Sequence, residues 1–147
     1  MTVSEICTRF VVTAHPDETI VEAARRMRDR HVGVLIVTDT QGRPVGILTD
    51  RDIVVSAVAQ SPDRLEALLV GDVMTADPVT ALLNETIDDA LAKMRASGIR
   101  RLPVVSSDGR LEGIATFDDI LKLMSTELDG MVGLVAREQS REREVRR

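Results

Sequence analysis

Two stretches of the chain carry the side chains best suited to hold a small polar ligand. They are Gly46-Ile47-Leu48-Thr49-Asp50-Arg51-Asp52 and Gly113-Ile114-Ala115-Thr116-Phe117-Asp118-Asp119. Each lies where a short apolar run gives way to a helical pattern. A threonine hydroxyl and a carboxylate three residues on have two uses at a helix start. They can cap the helix, satisfying N–H groups that have no partner in the first turn. They can also bind: the same N-terminus offers free N–H groups and the positive end of the helix dipole to a phosphate. The carboxylate can then accept hydrogen bonds from both hydroxyls of a ribose. Gly46 and Gly113, lacking a Cβ, let a ligand or another stretch of backbone come close. On one copy alone the capping reading suffices, and the two uses are compatible.

The two stretches belong to a longer duplication. Residues 70–120 slide back by 67 positions onto residues 3–53 without a gap, and 20 of the 51 aligned positions are identical. A solenoid needs three or more repeats. Two copies read instead as one small unit used twice, with a pseudo-twofold axis and two related clefts.

Each copy reads as β-α-β-β-α. It opens with a helical turn, Val3-Ser4-Glu5-Ile6-Cys7 or Val70-Gly71-Asp72-Val73-Met74, followed by an extended piece, Val11-Val12-Thr13 or Val79-Thr80-Ala81. A helix follows, capped by Thr19-x-x-Glu22 or Thr86-x-x-Asp89, with its apolar stripe on Ile20, Ala23, Ala24 and Met27 or Ile87, Ala90, Leu91 and Met94. Arg25, Arg26, Asp29 and Lys93 fall on the opposite face, where solvation is expected. Two strands then meet at hairpin turns ending in Gly42 and Gly109. A second helix starts at Thr49 or Thr116 and is expected to reach about Ala59 or Ser125. Past residue 125 the spacing of Leu128, Met131, Val132 and Val135 stays helical, weakened by Gly130 and Gly133. The charged end reads as an extended, frayed helical tail or as an oligomer contact.

Composition narrows the function. The 147 residues are 44% hydrophobic, enough for a real core, and carry a net charge of −5, which disfavours a nucleic-acid binder. With two Phe and no Tyr or Trp, aromatic stacking platforms are not available. The single Cys7 reads as a small apolar side chain. The first residues lack a signal-peptide pattern, and no apolar run approaches the ~18 residues of a membrane span, so a cytoplasmic location is expected. No Ser-His-Asp nucleophile elbow, paired-cysteine metal spacing or Walker loop is present, which argues against catalysis.

Residues 3–125 resemble a pair of cystathionine-β-synthase (CBS) domains, the regulatory unit also called a Bateman module. The resemblance rests on the duplicated Gly-Ile-x-Thr-x-x-Asp, on the Gly98-Ile99-Arg100-Arg101-Leu102-Pro103-Val104-Val105 run, and on the paired Thr13-Ala14 and Thr80-Ala81. It implies an α/β fold in which two repeats pack sheet to sheet. Repeat 1 would span 1–60, a linker 61–69, repeat 2 70–125 and a charged helical tail 126–147. It further implies two clefts for adenosine-containing ligands and a homodimer built as a disc of four CBS units.

Carried onto this chain, the resemblance puts Thr49 and Asp52 in a first cleft with Thr80, Ala81, Ile99, Arg100 and Arg101. The second cleft takes Thr116 and Asp119 with Thr13, Ala14, Val32, Gly33 and Val34. Strand neighbours point to opposite faces, so one of the two arginines is expected to enter the first cleft, where it could grip a phosphate. The second would then hold a neutral adenosine-like group or nothing. His31 either adds charge there or is a surface histidine at a helix end, and Ile36, where the repeat has Pro103, alters the second cleft's wall. The function expected is a non-catalytic sensor of AMP, ADP or ATP, with S-adenosylmethionine or NAD sharing the same adenosine. It requires no cofactor or metal and signals to an unidentified protein. The alternative is a structural or interaction module with ligand-free clefts.

Overall fold

The computed structural model describes residues 1–146. Strands β1 (Thr13–Ala14), β2 (Val34–Thr38) and β3 (Pro44–Thr49) enclose helix α1 (Ile20–Arg30) in repeat 1. Helix α2 (Asp50–Asp52) continues as a π-helix over Ile53–Val58. After a 3-10 turn at Pro62–Arg64 come α3 (Val70–Val73) and β4 (Thr75–Ala76). Repeat 2 is built from β5 (Ala81–Leu82), α4 (Ile87–Ser97), β6 (Arg101–Val105), β7 (Leu111–Thr116) and α5 (Phe117–Val145). Both repeats are thus α/β units, in sheets ordered β1-β2-β3-β4 and β5-β6-β7.

Each sheet buries both faces. Leu35 and Val37 pack with Ile20, Ala23 and Met27 of α1 into one core, and Leu102 and Val104 with Ile87, Ala90 and Met94 of α4 into the other. Ile36 and Pro103 alternate with those residues and so point to the opposite faces, yet both are fully buried. Those faces are where the two sheets pack on each other. Pro103 also has no N–H to give. Ile36 donates its N–H to the Val12 carbonyl at 3.2 Å, which lets β1 pair from Thr13. In repeat 2 the pairing starts one residue later, at Ala81.

The segment that opens each repeat in sequence packs into the other repeat. Val3 is buried in the core of α4 and β6, and Val70 in the core of α1 and β2. The bonds are reciprocal. The Val3 N–H donates to Glu85 O and the Ser4 N–H to Leu83 O, while the Val70 N–H donates to Glu18 O and the Gly71 N–H to Pro16 O. Beyond these turns, Thr8 bridges to Ile114 on β7, and Thr75 pairs with Ile47 on β3. This crossing accounts for two glycines. A Cβ on Gly113 would stand 2.7 Å from the Thr8 carbonyl oxygen, and one on Gly46 2.3 Å from Met74 Sδ. The close approach at Gly46 and Gly113 is therefore that of the crossing chain.

A second paired device fixes the edge strands. Arg26 donates to the Thr13 carbonyl at 2.8 Å and to Glu18 at 2.7 Å; Lys93 donates to the Thr80 carbonyl at 2.9 Å and to Glu85 at 2.8 Å. Arg26 and Lys93, expected on a solvated face, are instead half-buried ties between helix and strand. Spacing on the helix alone could not reveal partners 13 and 8 residues away. Glu85 also accepts the Leu82 N–H at 3.0 Å, while its Oε1 is buried without a partner among the described residues.

The hairpins follow expectation, with Gly42 at φ 78° and Gly109 at φ 85°. In the first, Asp39 accepts the N–H groups of Arg43 and Gln41, which hold its carboxyl below the usual range. His31 is exposed and ends α1 in the left-handed region at φ 55°, where repeat 2 has Gly98. The helix expected to stop near Ser125 runs unbroken to Val145. Gly130 and Gly133 each cost about 1 kcal/mol relative to alanine. The segment beyond them is rich in good helix formers, with Glu142 four residues before Arg146 in the favourable order. Arg147 of the expected tail lies outside the described residues.

Two stability predictions follow from these ties. Gly113→Ala should destabilise by about 1–3 kcal/mol, because a backbone carbonyl must move. Gly46→Ala should cost less in the same thermal melts, because the Met74 side chain can swing aside. Lys93→Met should lower stability by about 1–3 kcal/mol by leaving Glu85 buried without its cation, and adding Glu85→Gln should restore part of the loss in denaturant titrations.

Candidate functional site

The strand-to-helix corners hold the four residues that carried the site expectation. Thr49 ends β3 and caps α2: its Oγ1 accepts the Asp52 N–H at 3.1 Å, and its own N–H donates to Asp52 Oδ2 at 2.9 Å. Thr116 ends β7 and caps α5. Its Oγ1 accepts the Asp119 N–H at 3.1 Å and donates to Asp119 Oδ2 at 2.8 Å. Both aspartates are half-buried. The corners therefore differ in one proton. At Thr116 the hydroxyl proton is committed to the carboxylate. At Thr49 a backbone N–H occupies that oxygen, and the hydroxyl keeps its proton for another acceptor. In each aspartate one oxygen, Oδ1, makes no hydrogen bond among the described residues.

The remaining expected residues sort by repeat. Gly33 accepts the Asp50 N–H at 3.0 Å, and Val34 lies opposite Thr49 across β2 and β3. Arg100 accepts the Phe117 N–H at 2.8 Å, and Arg101 lies opposite Thr116 across β6 and β7. Val32 and Ile99 are half-buried, and their N–H groups donate to the last turns of α1 and α4. Thr13 and Thr80 present the carbonyls tied down by Arg26 and Lys93, and Ala14 and Ala81 are buried beside them. The direct bonds of the corners thus join Gly33 and Val34 to repeat 1, and Arg100 and Arg101 to repeat 2.

The two arginines are not equivalent. Arg100 turns back on its own helix, donating to Asp118 at 2.9 Å with its guanidinium 5.4 Å from the centre of the Phe117 ring. Arg101 is exposed and makes no ion pair among the described residues. In repeat 1 the place of Arg100 is taken by Gly33, where a Cβ would lie 3.0 Å from the Asp50 carboxylate. The repeat 2 corner thus sets two arginines against Asp118 and Asp119, and the repeat 1 corner a single Arg51 against Asp50 and Asp52.

A cleft of about 760 Å³ opens along β1 and includes Thr13 and Ala14. Its far wall is the outer face of α1, with Glu22, Arg25, Asp29 and Arg30. The positions of Arg25, Asp29 and Arg30 are Ala92, Ala96 and Ser97 in repeat 2. This charged wall was missed as a site feature. The signal that could have found it lies where the two repeats differ rather than where they agree.

No helix among the described residues is long and apolar enough to cross a membrane. A family model described as CBS domain matches twice, over residues 3–58 and 70–126. The CBS domain-containing protein YhcV of Bacillus subtilis is 36% identical over 128 residues, covering 87% of this chain and 89% of that protein. Protein MK0525 of Methanopyrus kandleri is 36% identical over 125 residues, 84% of this chain but 62% of the relative's length. Among solved structures, the CBS domain pair of protein MJ0100, in complex with 5′-methylthioadenosine and S-adenosyl-L-methionine, superposes with a TM-score of 0.75 at 31% identity, covering 86% of this chain and 98% of that one. CBSX2 in complex with AMP superposes with a TM-score of 0.72 at 26% identity, covering 85% and 96%. The chain belongs to the CBS domain family and is a tandem pair of such domains.

Proposed function

We propose that this CBS pair is a non-catalytic regulatory module that binds an adenosine-containing ligand, AMP, ADP or ATP before S-adenosylmethionine or NAD, in clefts between its repeats. The observation that carries this reading is the pair of half-buried Thr-x-x-Asp corners, each at a helix N-terminus and each with a carboxylate oxygen left over. Such a corner offers the hydroxyls of a ribose the left-over carboxylate oxygen, while the N–H groups of Asp50, Arg51 and Asp52 are already bonded and leave a phosphate to a cation. The ligands in the MJ0100 and CBSX2 complexes support the same chemistry.

In the first cleft, Thr49 and Asp52 hold the ribose and Thr80, Ala81 and Ile99 face the base; Arg101, expected there, lies opposite Thr116 and takes the phosphate at that corner, because Arg100 is already engaged by Asp118. In the second, Thr116 and Asp119 work with Thr13, Ala14, Val32, Gly33 and Val34. The cleft along β1 is within the size range of small-ligand sites, but of these residues it takes in only Thr13 and Ala14 and neither corner. A ligand that touches both repeats shifts their relative angle only by its difference in affinity between the two arrangements. The module would act as a homodimer that passes this change to a protein target.

Calorimetry with AMP tests the assignment. Asp52→Asn keeps one cap acceptor but loses the charge, and should weaken AMP binding about tenfold to a hundredfold. Unchanged affinity in that variant would remove Asp52 from the site. Arg101→Ala should weaken AMP by a similar factor but leave 5′-methylthioadenosine, which has no phosphate, within about twofold. If AMP, ATP and S-adenosylmethionine all give no heat with the parent protein, the interaction-module alternative takes over.

A further inference from the structure

Helix α5 carries a large apolar surface that no described residue covers. It leaves the body beyond Leu123, the last of its residues packed against a core. After that every described residue of the helix is exposed. The exposed apolar residues Leu121, Met124, Leu128, Met131 and Val135 recur at alternating spacings of three and four. That is the seam of a coiled coil, in which each side chain enters a gap between side chains of a facing helix. A shallow apolar groove of about 350 Å³ beside Met131, Val132, Val135 and Ala136 is such a gap.

The occupant must match this stripe in length, spacing and charge. The helix starts acidic, with Asp118, Asp119, Glu127 and Asp129 against Lys122, and ends mixed, with Arg137, Arg141, Arg143 and Arg146 against Glu138, Glu142 and Glu144. A second identical helix running the other way brings each acidic half against the half that carries the arginines, whereas running the same way it sets acidic half against acidic half. The antiparallel order also matches the apolar layers, setting Met124 against the copy's Val135 and Leu128 against its Met131, while Leu121 falls opposite Glu138 and lies outside those layers. The stripe is continuous with the body through Leu121, whose equivalent in repeat 1, Val54, is exposed as well.

We propose that α5 pairs with α5 of a second copy as an antiparallel two-helix coil, closed through Met124, Leu128, Met131 and Val135. This rests on the homodimer reading above and gives it a surface and an orientation. Such an interface is isologous, since each residue of the seam is used by both copies.

Sedimentation equilibrium of the full chain tests the seam. The parent protein should be dimeric at micromolar concentration. Leu128→Glu, which places a carboxylate between apolar layers, should raise the dimer Kd by about a hundredfold or more. Ser140→Glu, off the seam, should leave it within about twofold. A monomeric parent, or a Leu128→Glu protein that dimerises as well as the parent, overturns the proposal. Orientation is read by oxidative cross-linking in a Cys7→Ser background. Mixed Met124→Cys and Val135→Cys chains should form the mixed disulfide, whereas efficient cross-linking of Met124→Cys alone would overturn the antiparallel order. AMP calorimetry on Leu128→Glu separates the two readings. Binding retained by a monomer leaves the cleft assignment standing, and a dimer that binds no adenine ligand leaves the coil standing without it.

Discussion

The structure depends on the exchange of one short segment between the repeats. Val3 completes the core of repeat 2, and Val70 completes the core of repeat 1. Neither repeat can close its hydrophobic cluster with its own contiguous chain. The exchange also sets the geometry of everything else. Thr8 and Thr75 run along strands β7 and β3, next to the strand ends that become the corners at Thr116 and Thr49. Gly46 and Gly113 are small because a chain from the other repeat passes over them. The two corners are thereby held relative to each other by buried apolar side chains and backbone hydrogen bonds.

The edge strands depend on a different kind of tie. β1 and β5 each comprise two residues and pair with a neighbour on one side only. Strands this short hold little by themselves. The cation on the adjacent helix supplies what the ladder cannot, binding a strand carbonyl and a glutamate together. Such a pair is worth little on an exposed surface. Here the Glu85 side chain is only 11% exposed, so the loss of its partner would leave a charge largely out of water. The stretches Thr13-Ala14 and Thr80-Ala81 are thus positioned by groups that belong to no motif.

The pseudo-symmetry is broken where the chemistry is. Repeat 2 has Arg100 and Arg101 where repeat 1 has Gly33 and Val34, and a phenylalanine where repeat 1 has Asp50. Repeat 1 in turn has a charged α1 wall where repeat 2 has alanines and a serine. The cores are nearly the same; the surfaces that a ligand would meet are not. A duplicated unit can diverge in this way because its packing depends on the shared apolar positions and its polar positions are free to change. The second helices diverge too: one becomes a π-helix that ends at Val58, and the other continues to Val145.

Local spacing was enough to read much of this chain. The 67-residue period, the caps at Thr19, Thr49, Thr86 and Thr116, the apolar stripes of α1 and α4 and the hairpin glycines all depend on residues within one or two turns of each other. The sequence carries such relations directly. What it could not carry were relations between distant residues. Arg26 and Lys93 sit on the outer face of their helices and read as solvated until the edge strand is folded against them. Gly46 and Gly113 read as room for a ligand until the crossing segments fill that room. The end of α5 is not legible locally: Gly130 and Gly133 weaken the helical spacing beyond Ser125, no stop signal follows, and the helix formers around them carry α5 on into the expected helical tail. Which residues face a core and where each helix begins are written in the chain, because those are matters of period and capping. Which core each segment enters and which charges are tied emerge on folding, because they depend on burial and on chain crossings that no local pattern encodes.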